Sequence, residues 1–195
     1  MMAMNRPQTR GRSRRTLLLL ALVALAPIVA SYLTYYGFVP DRRVNYGQLL
    51  AAGPAPPVAG TRLAGTAFAL SDLRGQWVML IVTGADCRDA CRGVLYATRQ
   101  ARTMQGGEQD RVVRTWLRPE GAAAPAPELL ASHPGLVIAT ASQADLSRLP
   151  LNPAGVPTLL LLDPHGNLVL RYGADPDIKR LAADLGRLLR ASQIG

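Results

Sequence analysis

Trp77-Val78-Met79-Leu80-Ile81-Val82-Thr83-Gly84-Ala85-Asp86-Cys87-Arg88-Asp89-Ala90-Cys91-Arg92 contains the only two cysteines of the chain, four residues apart. The run Trp77 to Thr83 is apolar without alternation, the pattern of a strand covered on both faces. From Cys87 to about Gln105 the chain reads as a helix, ended by Gly106-Gly107. A strand that ends in a paired thiol places two soft, redox-active sulfurs at the mouth of a sheet. Such a pair holds a metal, cycles as a disulfide, or does neither.

Spacing alone leaves these choices open. Inside a regular helix, residues i and i+4 share a face with Cβ atoms about 5–6 Å apart. A disulfide wants about 3.5–4.5 Å. A fully helical pair therefore suits a bridging soft ion, and thiolates select Cu(I). If Cys87 sits at the N-cap, the first turn can flex and a disulfide can close. A helix N-terminus lowers a thiol pKa. Arg88 and Arg92 would add to this effect, while Asp86 and Asp89 would oppose it.

Outward from this segment, strands and helices alternate. Phe68–Leu70 reads as a short strand and Ser71–Gln76 as a turn. Arg111–Leu117 and Leu136–Thr140 read as strands, with a short helix near Glu128–Ala131 between them and a helical turn at Gln143–Leu149. Thr158–Leu162 and Leu168–Tyr172 form a hairpin around Asp163-Pro164-His165-Gly166-Asn167. Pro176–Ser192 is the last helix, with Ile178, Leu181, Leu185, Leu188 and Leu189 along one face. Trp77, Trp116 and Leu159–Leu162 are core candidates.

Upstream, Leu17–Val39 has no charge and is long enough for a bilayer span, for which about 20 residues suffice. Tyr32, Tyr35 and Tyr36 cluster at its end as an interfacial belt. Val29-Ala30-Ser31 offers a cleavage-like site, but the apolar run continues beyond what a signal peptide needs. The segment is therefore read as a retained anchor, and Ser13-Arg14-Arg15-Thr16-Leu17-Leu18 as ordinary positive flank. Asp41–Leu50 reads as a short helix, and the Pro-rich Ala51–Val58 as a semi-rigid spacer.

The net charge of +9 over 195 residues is unevenly placed. Arg6, Arg10, Arg12, Arg14 and Arg15 precede the span with no acid among them, which puts that end in the cytoplasm by the positive-inside rule. The remainder is nearly balanced and has no basic stripe interleaved with aromatics, so nucleic acid is not expected as a partner. An exported thiol pair would be oxidised unless something reduces or metallates it.

Three motifs carry a family resemblance. Phe68-x-Leu70-x-Asp72-x-x-Gly75-x-Trp77-Val78, Cys87-x-x-x-Cys91 and Asp163-Pro164-x-Gly166 resemble the Sco/SenC proteins, thioredoxin-like assembly factors of cytochrome oxidase. The resemblance covers roughly residues 60–190. It implies an α/β thioredoxin-like fold, a central mixed sheet flanked by helices, behind an N-terminal transmembrane helix. It also implies copper bound by two cysteine thiolates and one histidine. Here the sequence departs from the family. The histidine's place, about eight residues before Asp163, is Gly155. The segment Gly155-Val156-Pro157-Thr158 instead resembles the cis-proline loop of thioredoxins. His165, about 17 Å of strand away, and His133, on a loop, are poor substitutes.

The expected organisation is a cytoplasmic tail (1–15), a transmembrane anchor (16–39), a Pro-rich linker (40–60) and a thioredoxin-like domain (61–195). The expected function is assistance in copper-centre assembly of cytochrome c oxidase, from the bacterial inner membrane, with the domain in the periplasm. Cys87 and Cys91 would serve as redox dithiol or as Cu(I) ligands, with Pro157 shaping the docking surface. The partner would be an oxidase subunit or another periplasmic thiol protein. A metal-free thiol-disulfide oxidoreductase and a non-catalytic docking scaffold are the alternatives.

Overall fold

The computed structural model describes residues 10–37, 45–153 and 155–192. The chain divides into two compact units, one up to Val44 and one from Asn45 onward. In the first, α1 (Arg10–Gly37) carries Pro27 in its interior. Its segment Arg14–Tyr36 is long and apolar enough to cross a bilayer. Tyr32 stacks on Tyr36 with ring centroids 5.8 Å apart, and Tyr35 meets Tyr36 edge-on at 5.0 Å. Most of the Arg-rich tail (1–9), the last two residues of the expected anchor (38–39) and the start of the expected linker (40–44) lie outside the described residues.

The second unit is built on an eight-stranded mixed sheet. Its strands are β1 (Gln48–Pro54), β2 (Ala59–Arg62), β3 (Ala67–Ala69), β4 (Trp77–Val82), β5 (Val112–Pro119), β6 (Leu136–Ala141), β7 (Thr158–Leu162) and β8 (Asn167–Tyr172). They lie in the order β1-β8-β7-β4-β5-β6-β2-β3. β5 runs parallel to β4 and β6, while β7 is antiparallel to β4 and β8. The helices are α2 (Asp89–Thr103), α3 (Pro127–Ser132), α4 (Gln143–Leu146) and α5 (Ile178–Ala191).

The unalternating apolar run has its cause here. All six residues of β4 are buried, because successive side chains enter different cores. Trp77, Met79 and Ile81 meet α2 and α5 through Val94, Leu95, Leu181 and Leu185. Val78, Leu80 and Val82 pack on the other face with Phe68, Leu73 and Leu146. On α2 the buried residues Cys91, Val94, Leu95, Thr98 and Ala101 recur at helical spacing, so one stripe faces the sheet.

The expected linker is corrected. Gln48–Pro54 is neither helix nor spacer but an edge strand, paired antiparallel with β8. Its register shifts between Leu49 and Gly53. Pro54 stands at the strand's end, where losing an N–H costs no interior ladder bond. Beyond it, Ala55 N–H donates to Gly166 O at 2.9 Å and Leu70 N–H donates to Val58 O at 2.9 Å. Val58 is buried in the second core. In β2, a Cβ on Gly60 would lie 1.9 Å from the Thr140 carbonyl oxygen, so only glycine lets β2 approach β6 this closely.

A buried carboxylate fastens the entry to this unit. Asp184 of α5 is 0% exposed. It accepts from Tyr46 N–H (3.1 Å), Gly47 N–H (2.9 Å) and the Tyr172 hydroxyl (3.3 Å), and pairs with Arg187. Burial first, and then the Asp184 charge and hydrogen bond, push the Tyr172 phenol up. The Tyr46 hydroxyl accepts from Asp177 N–H at 3.0 Å, and Arg180 lies 4.2 Å from the centre of its ring.

Candidate dithiol site

Strand β4 ends at Val82, opposite Leu117 of the parallel β5, which runs on beside β6 to Pro119. Past this point the chain leaves the sheet through Thr83-Gly84-Ala85-Asp86. Thr83 N–H still donates to Leu117 O at 3.2 Å. Its hydroxyl donates to Gly84 O at 3.1 Å and accepts from Trp116 Nε1–H at 2.9 Å. The Arg118 guanidinium donates to Ala85 O at 2.9 Å and to Ala123 O at 2.6 Å. Arg118 is 4% exposed and lies 4.9 Å from the Trp116 ring centre. Burial pulls its pKa down, and Asp86 acts in the opposite direction.

Cys87 stands outside α2. Arg88 is the N-cap, with φ −90° and ψ −170°, and Asp89 is the first helical residue. Cys87 and Cys91 are joined by a disulfide, with Cα atoms 5.1 Å apart, inside the range that disulfides occupy. The extended backbone at Arg88 folds Cys87 back toward the first turn and removes the distance problem of a fully helical pair. Cys87 is half-buried, whereas Cys91 is 3% exposed and packs in the first core. The Asp86–Arg88 ion pair at 3.4 Å is exposed on both sides, and such pairs contribute little.

Pro157 is brought to the same end of the sheet. It is buried and directly precedes Thr158, which pairs with Val82. The cis expectation is corrected, since no described peptide bond is cis. The trans form is the lower one for X–Pro by about 0.5–1 kcal/mol, and this loop closes without the alternative. Val156 N–H donates to Pro153 O at 3.0 Å. Asn152 donates from its backbone to Thr158 Oγ1 at 2.8 Å and from its side chain to Pro157 O at 2.9 Å.

Among the described residues no third metal ligand joins the sulfurs. Gly155 has φ +82°. His165 lies in the β7–β8 turn, whose end of β7 pairs with Val78 rather than Val82, and it is mostly exposed. His133 precedes β6 at the N-terminal ends of the parallel strands, opposite the cysteines. Among the described residues no three His, Cys, Asp or Glu side chains converge on a metal position. A Cys2His copper site therefore does not fit this chain.

His133 instead belongs to a buried cationic cluster that the sequence reading missed. It is 7% exposed. Burial, then Arg114, then Arg99 hold its imidazole down at about 4. Arg114 donates to Pro134 O at 2.9 Å, and burial with Arg102 and Arg99 lowers it to about 10. The signal was present: in β5, Arg114, Trp116 and Arg118 alternate onto one face. A histidine that resists protonation when folded takes its proton first in the unfolded chain, at about 6.5. Stability is therefore complete above pH 6.5, falls between pH 6.5 and about 4, and levels off below. The expected loss from this group is at most about 3 kcal/mol, reduced by solvent screening. Urea unfolding of wild type and His133→Phe across that window would show it, and the variant's slope should be flatter.

A family model described as transmembrane-like, thioredoxin-like, C-terminal domain matches residues 77–192, more than half of the chain, and the protein belongs to that family. Solved structures similar to it include copper-bound Sco1 of yeast, with TM-score 0.61 and 16% identity, covering 71% of this chain and 94% of that one. Copper-bound ScoI of Arabidopsis thaliana has TM-score 0.59 and 18% identity, covering 72% of this chain and all of that one. The thioredoxin domain of a thiol-disulfide oxidoreductase from Bacteroides vulgatus has TM-score 0.55 and 16% identity, with 72% and 99% covered. At such identities the likeness is one of fold. Comparison with curated proteins gives no match.

Proposed function

We propose that the protein is a membrane-anchored thiol-disulfide exchange factor that acts through Cys87 and Cys91 on the cysteines of another extracytoplasmic protein, an oxidase copper-site subunit being the expected class. The observation that carries this reading is the disulfide itself, joining a partly exposed Cys87 to a buried Cys91 at the open end of a thioredoxin-like sheet. The apolar helix α1 supplies the anchor. The positive-inside rule orients its arginine-rich end to the cytoplasm and the second unit to the periplasm of a bacterial inner membrane.

The test is the reduction potential of the full chain in detergent, measured against glutathione buffers. A value between about −120 and −270 mV, the range of exchange catalysts, is expected. A value below about −300 mV belongs to structural disulfides and would sink the proposal. The likeness to copper-bound Sco structures favours a second reading, a two-thiolate Cu(I) carrier. Anaerobic Cu(I) titration of the reduced chain decides it, and binding no tighter than in a Cys87→Ser/Cys91→Ser control removes it.

A further inference from the structure

We infer that Arg118 is a positioning residue of the dithiol site whose buried charge favours the reduced state of Cys87 and Cys91. The inference rests on the exchange reading above and adds to it a determinant of the potential. Three contacts fix the guanidinium. It donates to Ala85 O, two residues before Cys87, and to Ala123 O on the loop after β5, and it stacks on Trp116. Trp116 in turn holds Thr83. The strand end and the loop that deliver Cys87 are thus clamped from one side by Arg118 and Trp116, both of which lie in β5.

The clamp is an unusual choice for its job. Two carbonyl oxygens could be satisfied by neutral donors, yet the site buries a full positive charge at 4% exposure. The guanidinium donates to these two carbonyls, and its Nε–H is buried with no acceptor among the described residues. Asp86, the acid that acts on it, is exposed and paired with Arg88. A buried cation without a bound anion is costly. The oxidised pair carries no charge, and the reduced pair can carry one.

The reduction balances as follows. A thiolate of a partner dithiol attacks Cys87 Sγ, and the Cys87–Cys91 bond breaks with Cys91 leaving as thiolate. The partner's second thiolate then displaces Cys87 Sγ and closes the partner's own disulfide. Two electrons pass from the partner to the pair, and the partner's two protons go to the released sulfurs or to water. A thiolate on the reduced pair, whose first cysteine lies two residues beyond the Ala85 that Arg118 holds, is the anion that the site lacks, so Arg118 stabilises the product of reduction over the disulfide.

The experiment measures the potential of wild type, Arg118→Gln and Arg118→Lys in the full chain, with near-UV circular dichroism confirming the fold. Gln removes the charge and keeps a donor; Lys keeps the charge and loses the fork. The Gln variant is expected to hold its disulfide about tenfold more firmly against glutathione, about 30 mV more negative. The Lys variant should stay within about threefold of wild type. Equal potentials in wild type and a folded Gln variant overturn the role of Arg118, as does a Lys shift of about tenfold. If Gln does not fold, Lys alone decides by the same limit. A wild-type potential in the structural range speaks against the exchange reading whatever the variants do, so the two failures are told apart.

Discussion

Cys91→Ser is expected to trap the protein in a mixed disulfide with its partner, whereas Cys87→Ser leaves it unable to react. The asymmetry follows from burial. Cys87 is the more exposed of the two and can meet an incoming sulfur, while Cys91 lies at 3% exposure against the first core. When the exchange runs in reverse, the reduced pair meeting a partner disulfide, Cys87 forms the intermolecular bond and Cys91, in the first turn of α2, displaces the partner. Without Cys91 the second displacement is lost, and turnover falls to the uncatalysed background while the adduct accumulates. Stability cannot explain such a difference. Opening so short a loop costs about 2 kcal/mol in the chain-entropy picture, and both variants lose it equally. Non-reducing gels and mass spectrometry of membranes expressing each variant check the result. Equal adduct from both variants would contradict the assigned order of attack.

Asp184→Ala is expected to lower the unfolding free energy by about 3–5 kcal/mol, since each stranded buried donor costs about 1–3 kcal/mol. The loss comes from the groups left behind. Tyr46 N–H, Gly47 N–H and the Tyr172 hydroxyl all donate to this carboxylate. Arg187, with 41% of its side chain exposed, recovers by hydration and adds little. Tyr172→Phe should cost about 1 kcal/mol, because it removes a single long bond together with its donor. A natural domain holds only about 5–15 kcal/mol in reserve, so the Ala variant would retain a small margin. Urea unfolding followed by tryptophan fluorescence measures both. A loss below about 1 kcal/mol for Asp184→Ala would show that water replaces the carboxylate.

The strand-helix order from Phe68 to Ser192 was legible because its patterns are local. β4 has no alternation since both faces are covered, and α2 and α5 carry their buried residues at helical spacing. β1 was hidden. Its partner is β8, with Gln48 opposite Arg171, and no local pattern reports a pairing across such a separation. Its Gly and Pro content reads as linker unless the bulge at Gly53 and the terminal place of Pro54 are known. The cysteine spacing was legible, but its meaning turned on one backbone conformation, the extended Arg88. Pro157 directly precedes Thr158, opposite Val82, and its peptide bond is trans where the resemblance implied cis. Arg118 went unread because the expected strand stopped at Leu117, one residue short of it, whereas β5 runs to Pro119.

Gly155 bears on how far this chain stands from three-ligand copper proteins. At φ +82° a side chain other than glycine carries backbone strain on the order of 1–3 kcal/mol. Reinstating the histidine by Gly155→His would therefore supply an imidazole on a loop shaped against it. The separation is one of main-chain conformation as well as of side chain, since the backbone at Gly155 already favours glycine.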